Sequence, residues 1–209
     1  ASKGDKPFFV YLPFHAVHQG WQARQETIVY FDKKPKGKNH NNSLMAGMIK
    51  NLDEGIGILA NKLKSLGIDK NTVVIFTSDN GGLPGSSQAP LRSYKGTFYE
   101  GGVRVPMFIH YPGKVNAGDN HTPVQNVDLY PTCLAFANSN TPKNKILDGR
   151  DLTSLLTGKK KTLDRKALFW HFPGYLDKPY PQSRESKYFR QRPSSLIRKG
   201  DWKLILYYE

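Results

Sequence analysis

Val73-Val74-Ile75-Phe76-Thr77-Ser78-Asp79-Asn80-Gly81-Gly82 runs from an apolar, β-branched stretch straight into a polar turn that ends in two glycines. An apolar run without alternation reads as a strand covered on both faces. Asp79 and Asn80 then fall at the strand's carboxyl end, where ligands bind in open α/β sheets. Gly81 and Gly82 let the backbone turn sharply and leave room for a ligand to approach. A carboxylate beside an amide oxygen offers hard donors, which suit Ca2+ or Mg2+. The same two side chains are also at home in a plain turn, bonding their own backbone.

Upstream, Met45, Ile49, Leu52, Ile56, Leu59 and Leu63 recur at spacings of four and three, the pattern of one apolar helix face. Ser43 is the expected N-cap and Gly67 the residue that closes the helix, with Lys62 and Lys64 near its negative end. Earlier still, Phe8-Phe9-Val10-Tyr11-Leu12 lies between Pro7 and Pro13 and reads as a short buried strand. Strand, helix and strand in this order predict a right-handed βαβ crossover in a parallel sheet. His15 and His18 sit in the loop after the first strand. From there to about Asn42 the lysine- and asparagine-rich composition predicts an exposed loop.

Downstream, residues 83–90 are a loop, and glycines at both ends of residues 91–106 predict a structured loop rather than a helix. Met107-Phe108-Ile109-His110-Tyr111 reads as another short strand, stopped by Pro112-Gly113. Residues 127–138 read as a helix with Pro131 near its first turn, and residues 152–156 as a short one. At Lys159-Lys160-Lys161 the composition shifts. Leu168-Phe169-Trp170-His171-Phe172 and Ser195-Leu196-Ile197-Arg198 then read as strands around a long basic loop. Residues 201–208 alternate as a hairpin partner across the Lys199-Gly200-Asp201 turn. This divides the chain into an α/β part, 1–158, and the start of a small antiparallel subdomain, 159–209.

The composition of the 209 residues bounds the function. Hydrophobic content of 38% allows a real core and argues against wholesale disorder. A formal net charge of +14 favours an anionic partner, although a lysine-rich solvated surface gives the same number. Cys133 is the sole cysteine, so an intrachain disulfide and a multi-cysteine zinc site are excluded; its apolar neighbours predict a buried structural thiol. No stretch approaches the roughly 20 apolar residues of a membrane span.

Three segments resemble the type I, formylglycine-dependent sulfatases of the alkaline phosphatase superfamily. Residues 51–81 resemble the family's central block. Lys95-Gly96-Thr97-Phe98-Tyr99-Glu100-Gly101-Gly102-Val103-Arg104-Val105-Pro106 resembles its second block. Asp128-Leu129-Tyr130-Pro131-Thr132, Asp148-Gly149-Arg150 and Arg198-Lys199-Gly200-Asp201-Trp202-Lys203-Leu204 follow in the family's order. The family's Cys/Ser-X-Pro-X-Arg segment, which carries the nucleophile, is not in the sequence, nor are its N-terminal aspartate pair and Lys-X-His segment. The expectation is therefore the C-terminal portion of a sulfatase, inactive by itself, whose partner is the missing N-terminal part of the same protein.

The resemblance implies an α/β, alkaline-phosphatase-like fold with a mostly parallel sheet, followed by the small antiparallel sheet. It implies hydrolysis of a sulfate ester, with Asp79 and Asn80 as metal ligands for Ca2+ (Mg2+ the second choice) and formylglycine as the nucleophile. Lys95 is implied to grip sulfate oxygens and His18 to contact the sulfate and protonate the leaving alcohol. A solvated lysine and a structural loop histidine are the plain alternatives. Glu100 and Arg104 are expected to brace their loop by ion pairing. His171, with Trp170, Tyr175 and the loop from Arg184 to Arg192, is expected to wall the pocket and bind substrate. The implied substrate is a sulfated small molecule or sulfated carbohydrate, in a periplasmic, extracellular or lysosomal setting. A phosphodiesterase or phosphomutase-like member of the superfamily is the second reading. A non-enzymatic binder of polyanions, nucleic acid included, is the third, and the metal and lysine blocks argue against it.

Overall fold

Met45 and Met48 are buried on one face of a long helix, and its ends obey the chemistry of the residues there. In the computed structural model, which describes residues 6–179 and 187–209, helix α2 spans Ser43–Ser65. Asn42, not Ser43, is the cap: its side chain accepts the Met45 N–H at 3.0 Å. At the other end Gly67, with φ of +68°, sends its N–H to the Lys64 carbonyl at 2.9 Å, and Ile68 reaches the Leu63 carbonyl at 3.1 Å. This pair of bonds is the Schellman closure, which needs a residue tolerant of the left-handed region. Ile49, expected on the apolar face, is exposed, and Met48 takes the inward position.

A second helix, α1 (Gln25–Asp32), lies where the composition predicts an exposed loop. It forms because α2 supplies partners. Asn51 accepts the Arg24 N–H at 3.1 Å and donates to the Thr27 hydroxyl at 3.1 Å, and Thr27 is buried. Glu54 pairs with both Arg24 and Lys50, and the Lys50 hydrogen bond holds its carboxyl below the usual range. Phe8-Phe9-Val10-Tyr11-Leu12 does not form a strand, and Phe9 is 77% exposed. Pro7 and Pro13 bracket the run and contribute no ladder donors. The expected βαβ crossover is therefore not present among the described residues.

The described residues form two compact units, one made of residues up to Thr72 with Gly85–Ser87, the other of Val73–Pro84 with Gln88–Glu209. In the first, α1 packs on α2, and the Trp21 ring covers Gly85.

In the second unit, β1 (Val74–Thr77) pairs antiparallel with β2 (Met107–His110), Val74 opposite His110 and Thr77 opposite Met107. Between them the chain makes a long structured loop with one helical turn, α3 (Glu100–Val103). Helices α4 (Leu129–Phe136) and α5 (Thr153–Leu156) follow, with Pro131 in the first turn of α4 as expected. Leu152, Leu155, Leu168 and Leu196 are buried beside them.

Strands β3 (Leu168–Phe172), β6 (Ser194–Lys199) and β7 (Trp202–Tyr207) form a three-stranded antiparallel sheet in the order β3-β6-β7. Gly200 turns β6 into β7 as the sequence pattern predicts. Inside the stretch read as a long basic loop, β4 (Leu176–Asp177) and β5 (Phe189–Gln191) pair as a short arm. Arg184 lies outside the described residues. The architecture is mixed α and β with small antiparallel sheets, consistent with part of the expected fold; every strand pairing among the described residues is antiparallel, so the parallel part of the expected sheet is not among them. Among the described residues no helix is long and apolar enough to cross a membrane.

Candidate active site

The corner after β1 is held by main chain. Thr77 donates its hydroxyl to the Pro106 carbonyl at 3.2 Å, and the Ser78 hydroxyl caps the Asn80 carbonyl at 2.9 Å. The Gly81 N–H then meets the Gly102 carbonyl at 2.9 Å, and the Lys95 N–H meets the Gly82 carbonyl at 2.9 Å. The segment that supplies Lys95 folds onto itself in the same manner: Gly101 N–H to Arg92 carbonyl at 2.7 Å, and the Thr97 hydroxyl to the Tyr94 carbonyl at 2.9 Å. These bonds put the Asp79-Asn80 corner and the Lys95 segment into one piece.

Glycine is required here by close approach. A Cβ on Gly81 would overlap the Gly101 carbonyl, one on Gly101 the Ser93 carbonyl, and one on Gly102 the Thr97 carbonyl. Ser93 itself sits at φ of 65°, a left-handed conformation that costs a residue with a Cβ and marks the turn leading to Lys95.

Asp79 is exposed and Asn80 half-buried. Their side chains bond each other, the Asn80 amide donating to the Asp79 carboxylate, rather than their own backbone. The pair therefore converges on one point. With the amide reversed, it presents a carboxylate and a carbonyl oxygen side by side, a donor set that fits a hard divalent cation. Among the described residues no group of three or more His, Cys, Asp or Glu side chains is gathered as a metal site, at this corner or beyond it.

His18 belongs to the other unit. Its N–H bonds the His15 carbonyl at 2.8 Å across a tight turn containing a cis Ala16–Val17 peptide, and the two rings stand 5.4 Å apart. His15 is tied to the Gln19 carbonyl through Nε2 at 3.0 Å.

Glu100 does brace its loop by an ion pair, but the partner is Lys203 of β7, which also donates to the Phe98 carbonyl at 3.0 Å. Arg104 is exposed. His171 stands on the open face of the three-stranded sheet. Its Nδ1 lies 3.0 Å from the Ser195 hydroxyl and 2.9 Å from the Tyr208 hydroxyl. Ser195 and Tyr208 were not anticipated. The Gly200 turn sets only the register of β6 against β7, Ser195 opposite Leu206, whereas His171 meets Ser195 across the β3–β6 pairing, which no short turn fixes. Arg190 was anticipated only as part of a basic loop; its guanidinium carbon stem in fact lies against Gly96, next to Lys95.

Two family models match. The one described as Sulfatase matches residues 1–139, and the one described as N-sulphoglucosamine sulphohydrolase, C-terminal, matches residues 94–209. A protein named Sulfatase from Formosa agariphila is 41% identical over 198 residues, covering 87% of this chain and 36% of its own length. Human Arylsulfatase A is 37% identical over 182 residues, covering 85% of this chain and 34% of its own. The crystal structure of Ps i-CgsB in complex with k-i-k-neocarrahexaose superposes with a TM-score of 0.80 at 32% identity, over 99% of this chain and 42% of that one. The chain thus spans about a third of the length of these curated relatives.

Proposed function

The chain belongs to the sulfatase family, and from that premise we propose that the whole protein is a sulfuric ester hydrolase acting on a sulfated carbohydrate. The observation that carries this reading is the main-chain weave that joins the Asp79-Asn80 corner to the Lys95 segment through Gly81, Gly82, Gly101 and Gly102. One rigid piece then offers oxygen ligands for a metal ion on one side and a cation on the other, which is what an anionic, tetrahedral sulfate ester group needs.

In this reading Asp79 and Asn80 hold Ca2+, with Mg2+ the second choice. When bound, that ion supplies positive charge to the oxygens of the sulfate and of the formylglycine nucleophile. Lys95 donates hydrogen bonds to sulfate oxygens and offsets charge that grows on them as the S–O bond breaks. His18 is the candidate sulfate contact and the candidate donor of a proton to the departing alcohol oxygen. His171 binds the sugar beyond the ester, its ring oriented by Ser195 and Tyr208. Residues 1–158 serve as part of the catalytic α/β domain, and 159–209 as part of the antiparallel subdomain that walls the pocket. The k-i-k-neocarrahexaose named with Ps i-CgsB supports a carbohydrate over a small aryl ester. In this reading the whole protein works in a periplasmic, extracellular or lysosomal setting.

The test is sulfate release by the whole protein from 4-nitrophenyl sulfate and from a sulfated oligosaccharide, before and after chelation and after return of Ca2+. The expected result is activity that chelation abolishes and Ca2+ restores. Hydrolysis of a phosphate diester or phosphonate monoester without any release of sulfate would replace this reading with the phosphodiesterase one.

A further inference from the structure

We propose that the cleft beside α5 binds a non-reacting stretch of a sulfated polysaccharide, with Arg150 and Lys160 taking its sulfates and Asp164 its sugar hydroxyls. The identity of this ligand rests on the reading of the protein as a sulfatase of carbohydrates.

Arg150, Ser154, Lys160, Thr162, Leu163 and Asp164 line an open cavity of about 290 Å3. Asp151 also borders it, but its carboxylate is spent on α5, where it accepts the Thr153 N–H at 2.8 Å and the Thr153 hydroxyl at 2.7 Å. Among the described residues, the side chains of Arg150, Ser154, Lys160, Thr162 and Asp164 have no hydrogen-bond or ion-pair partner. One cleft therefore presents two cations, two hydroxyls and a carboxylate that do not engage each other. Sulfate oxygens only accept, whereas sugar hydroxyls donate as well, so a sulfated sugar can use all of these groups at once. Leu163 adds an apolar patch for the C–H face of a ring.

The walls stand on fixed main chain. The Lys160 N–H meets the Ser154 carbonyl at 2.9 Å, and the Gly158 N–H meets the Leu155 carbonyl at 3.2 Å, with Gly158 at φ of +72°. The Lys161 carbonyl takes the Thr122 hydroxyl at 3.3 Å. The Arg150 N–H is held by the buried Asp128 carboxylate at 2.8 Å. Both cations thus rise from anchored backbone at one rim, and less ordering is left to be done when a ligand arrives.

The surroundings favour an anionic chain. Residues 143–166 carry eight cations and three carboxylates, and of the eight only Arg165 is in an ion pair among the described residues. Their fields add over the cleft and draw a polyanion toward it. A cleft open to solvent suits a polymer that runs through it better than a small molecule, which needs enclosure. A second hold on the same chain raises the local concentration of its reacting ester. Nucleic acid is a polyanion too, but the lining has no aromatic ring on which a base could stack.

The experiment titrates the whole protein calorimetrically with dextran sulfate, unsulfated dextran and a DNA duplex. Two charge-matched double variants are compared, Arg150→Gln with Lys160→Gln in the cleft, and Lys62→Gln with Lys64→Gln on α2. The wild type is expected to bind dextran sulfate and not dextran. The cleft pair is expected to weaken that binding about 10- to 100-fold, the scale of lost bonds to charged groups. The α2 pair is expected to change it less than about threefold. Hydrolysis of 4-nitrophenyl sulfate should be unchanged in both, and melting temperatures identify any variant that fails to fold. No binding of dextran sulfate, or an equal loss in the two pairs, overturns the assignment to the cleft. DNA bound as tightly as dextran sulfate, with the same loss in the cleft pair, overturns the sulfated glycan as its ligand. A wild type that binds dextran sulfate through the cleft yet releases no sulfate from 4-nitrophenyl sulfate or a sulfated oligosaccharide overturns the sulfatase reading instead, so the two failures are distinct.

Discussion

Arg165 grips the Asp128 carboxylate with both terminal nitrogens, Nη1 on Oδ2 at 2.9 Å and Nη2 on Oδ1, where Asp128 has no exposed surface. Two backbone donors complete the shell, Gln125 N–H at 2.8 Å and Arg150 N–H at 2.8 Å. The Asp128 carbonyl takes the Thr132 hydroxyl at 2.6 Å, and Thr132 in turn accepts the Leu152 N–H at 3.0 Å. The segments 128–132 and 148–150, which mark the family in the sequence, are therefore a knot that holds α4, α5 and the approach to β3 together. The role of these bonds is structural and not chemical.

Removing one side of this pair strands the other. Asp128→Asn sets an amide N–H against the guanidinium, and Arg165→Met leaves a carboxylate buried without its counter-charge. Each is expected to destabilise the protein by about 3–5 kcal/mol. Denaturant unfolding measures it, and a loss below about 1 kcal/mol, the scale of a surface pair, would contradict the account.

Gly101→Ala pushes a methyl group into the Ser93 carbonyl, and the corner bearing Asp79 hangs from the same strands of main chain. A lower melting temperature is expected, together with Ca2+ binding weakened about 10- to 100-fold, the range seen when support behind metal ligands is lost. Calorimetric titration with Ca2+ reads the second effect. Full affinity in a folded Gly101→Ala protein would mean the corner does not depend on this contact.

Lys95→Ala should lower kcat for sulfate release about 10²- to 10³-fold, the scale of one donor lost from a charge-stabilising set. Lys95→Arg should recover part of it. A raised KM at unchanged kcat would show instead that Lys95 holds the ground state and the transition state equally.

Burial pushes the Cys133 thiol above its ordinary range. A raised value in the folded state favours the protonated form there. The stability this contributes is intact below the unfolded thiol's pKa of about 8.5 and is lost as pH climbs from there through the folded value. Urea midpoints at pH 7 and pH 10 should therefore fall further for the wild type than for Cys133→Ala. An equal fall in both proteins would show that Cys133 does not carry the difference. Alkylation of the native thiol should be slow for the same reason.

Much of this was legible in the sequence wherever the signal is local. The spacing of Met45, Leu52, Ile56 and Leu59 declares α2, and what differs is the cap, Asn42 in place of the adjacent Ser43, and the inward position that Met48 takes from Ile49. The alternation around Gly200 declares the β6–β7 hairpin and its register. What failed was decided by partners far away in the chain. The helix α1 rests on the Thr27–Asn51 contact, which a lysine-rich composition hides. Phe8-Phe9-Val10-Tyr11-Leu12 has the residues of a strand and no strand pairing, and β1 finds its partner in Met107–His110. At the site, the motif blocks single out Asp79, Asn80 and Lys95. That their segments touch depends on three glycines meeting backbone to backbone, and that Arg190 of β5 reaches Gly96 depends on its pairing with the two-residue strand β4. Neither leaves a periodic trace.

Because Gly81, Gly101 and Gly102 set main chain directly against main chain, the corner has no side chains that can be exchanged one methyl group at a time. Its shape has no gradual route to a neighbouring shape. The β4–β5 arm touches its surroundings through side chains, and those can be traded singly. Diversification of this protein toward new sugars would then rewrite the arm and leave the corner untouched. A mutant library aimed at a new substrate belongs at Tyr175, Leu176, Phe189 and Arg190, while the same effort spent on Gly81, Gly101 and Gly102 would return mostly unfolded protein.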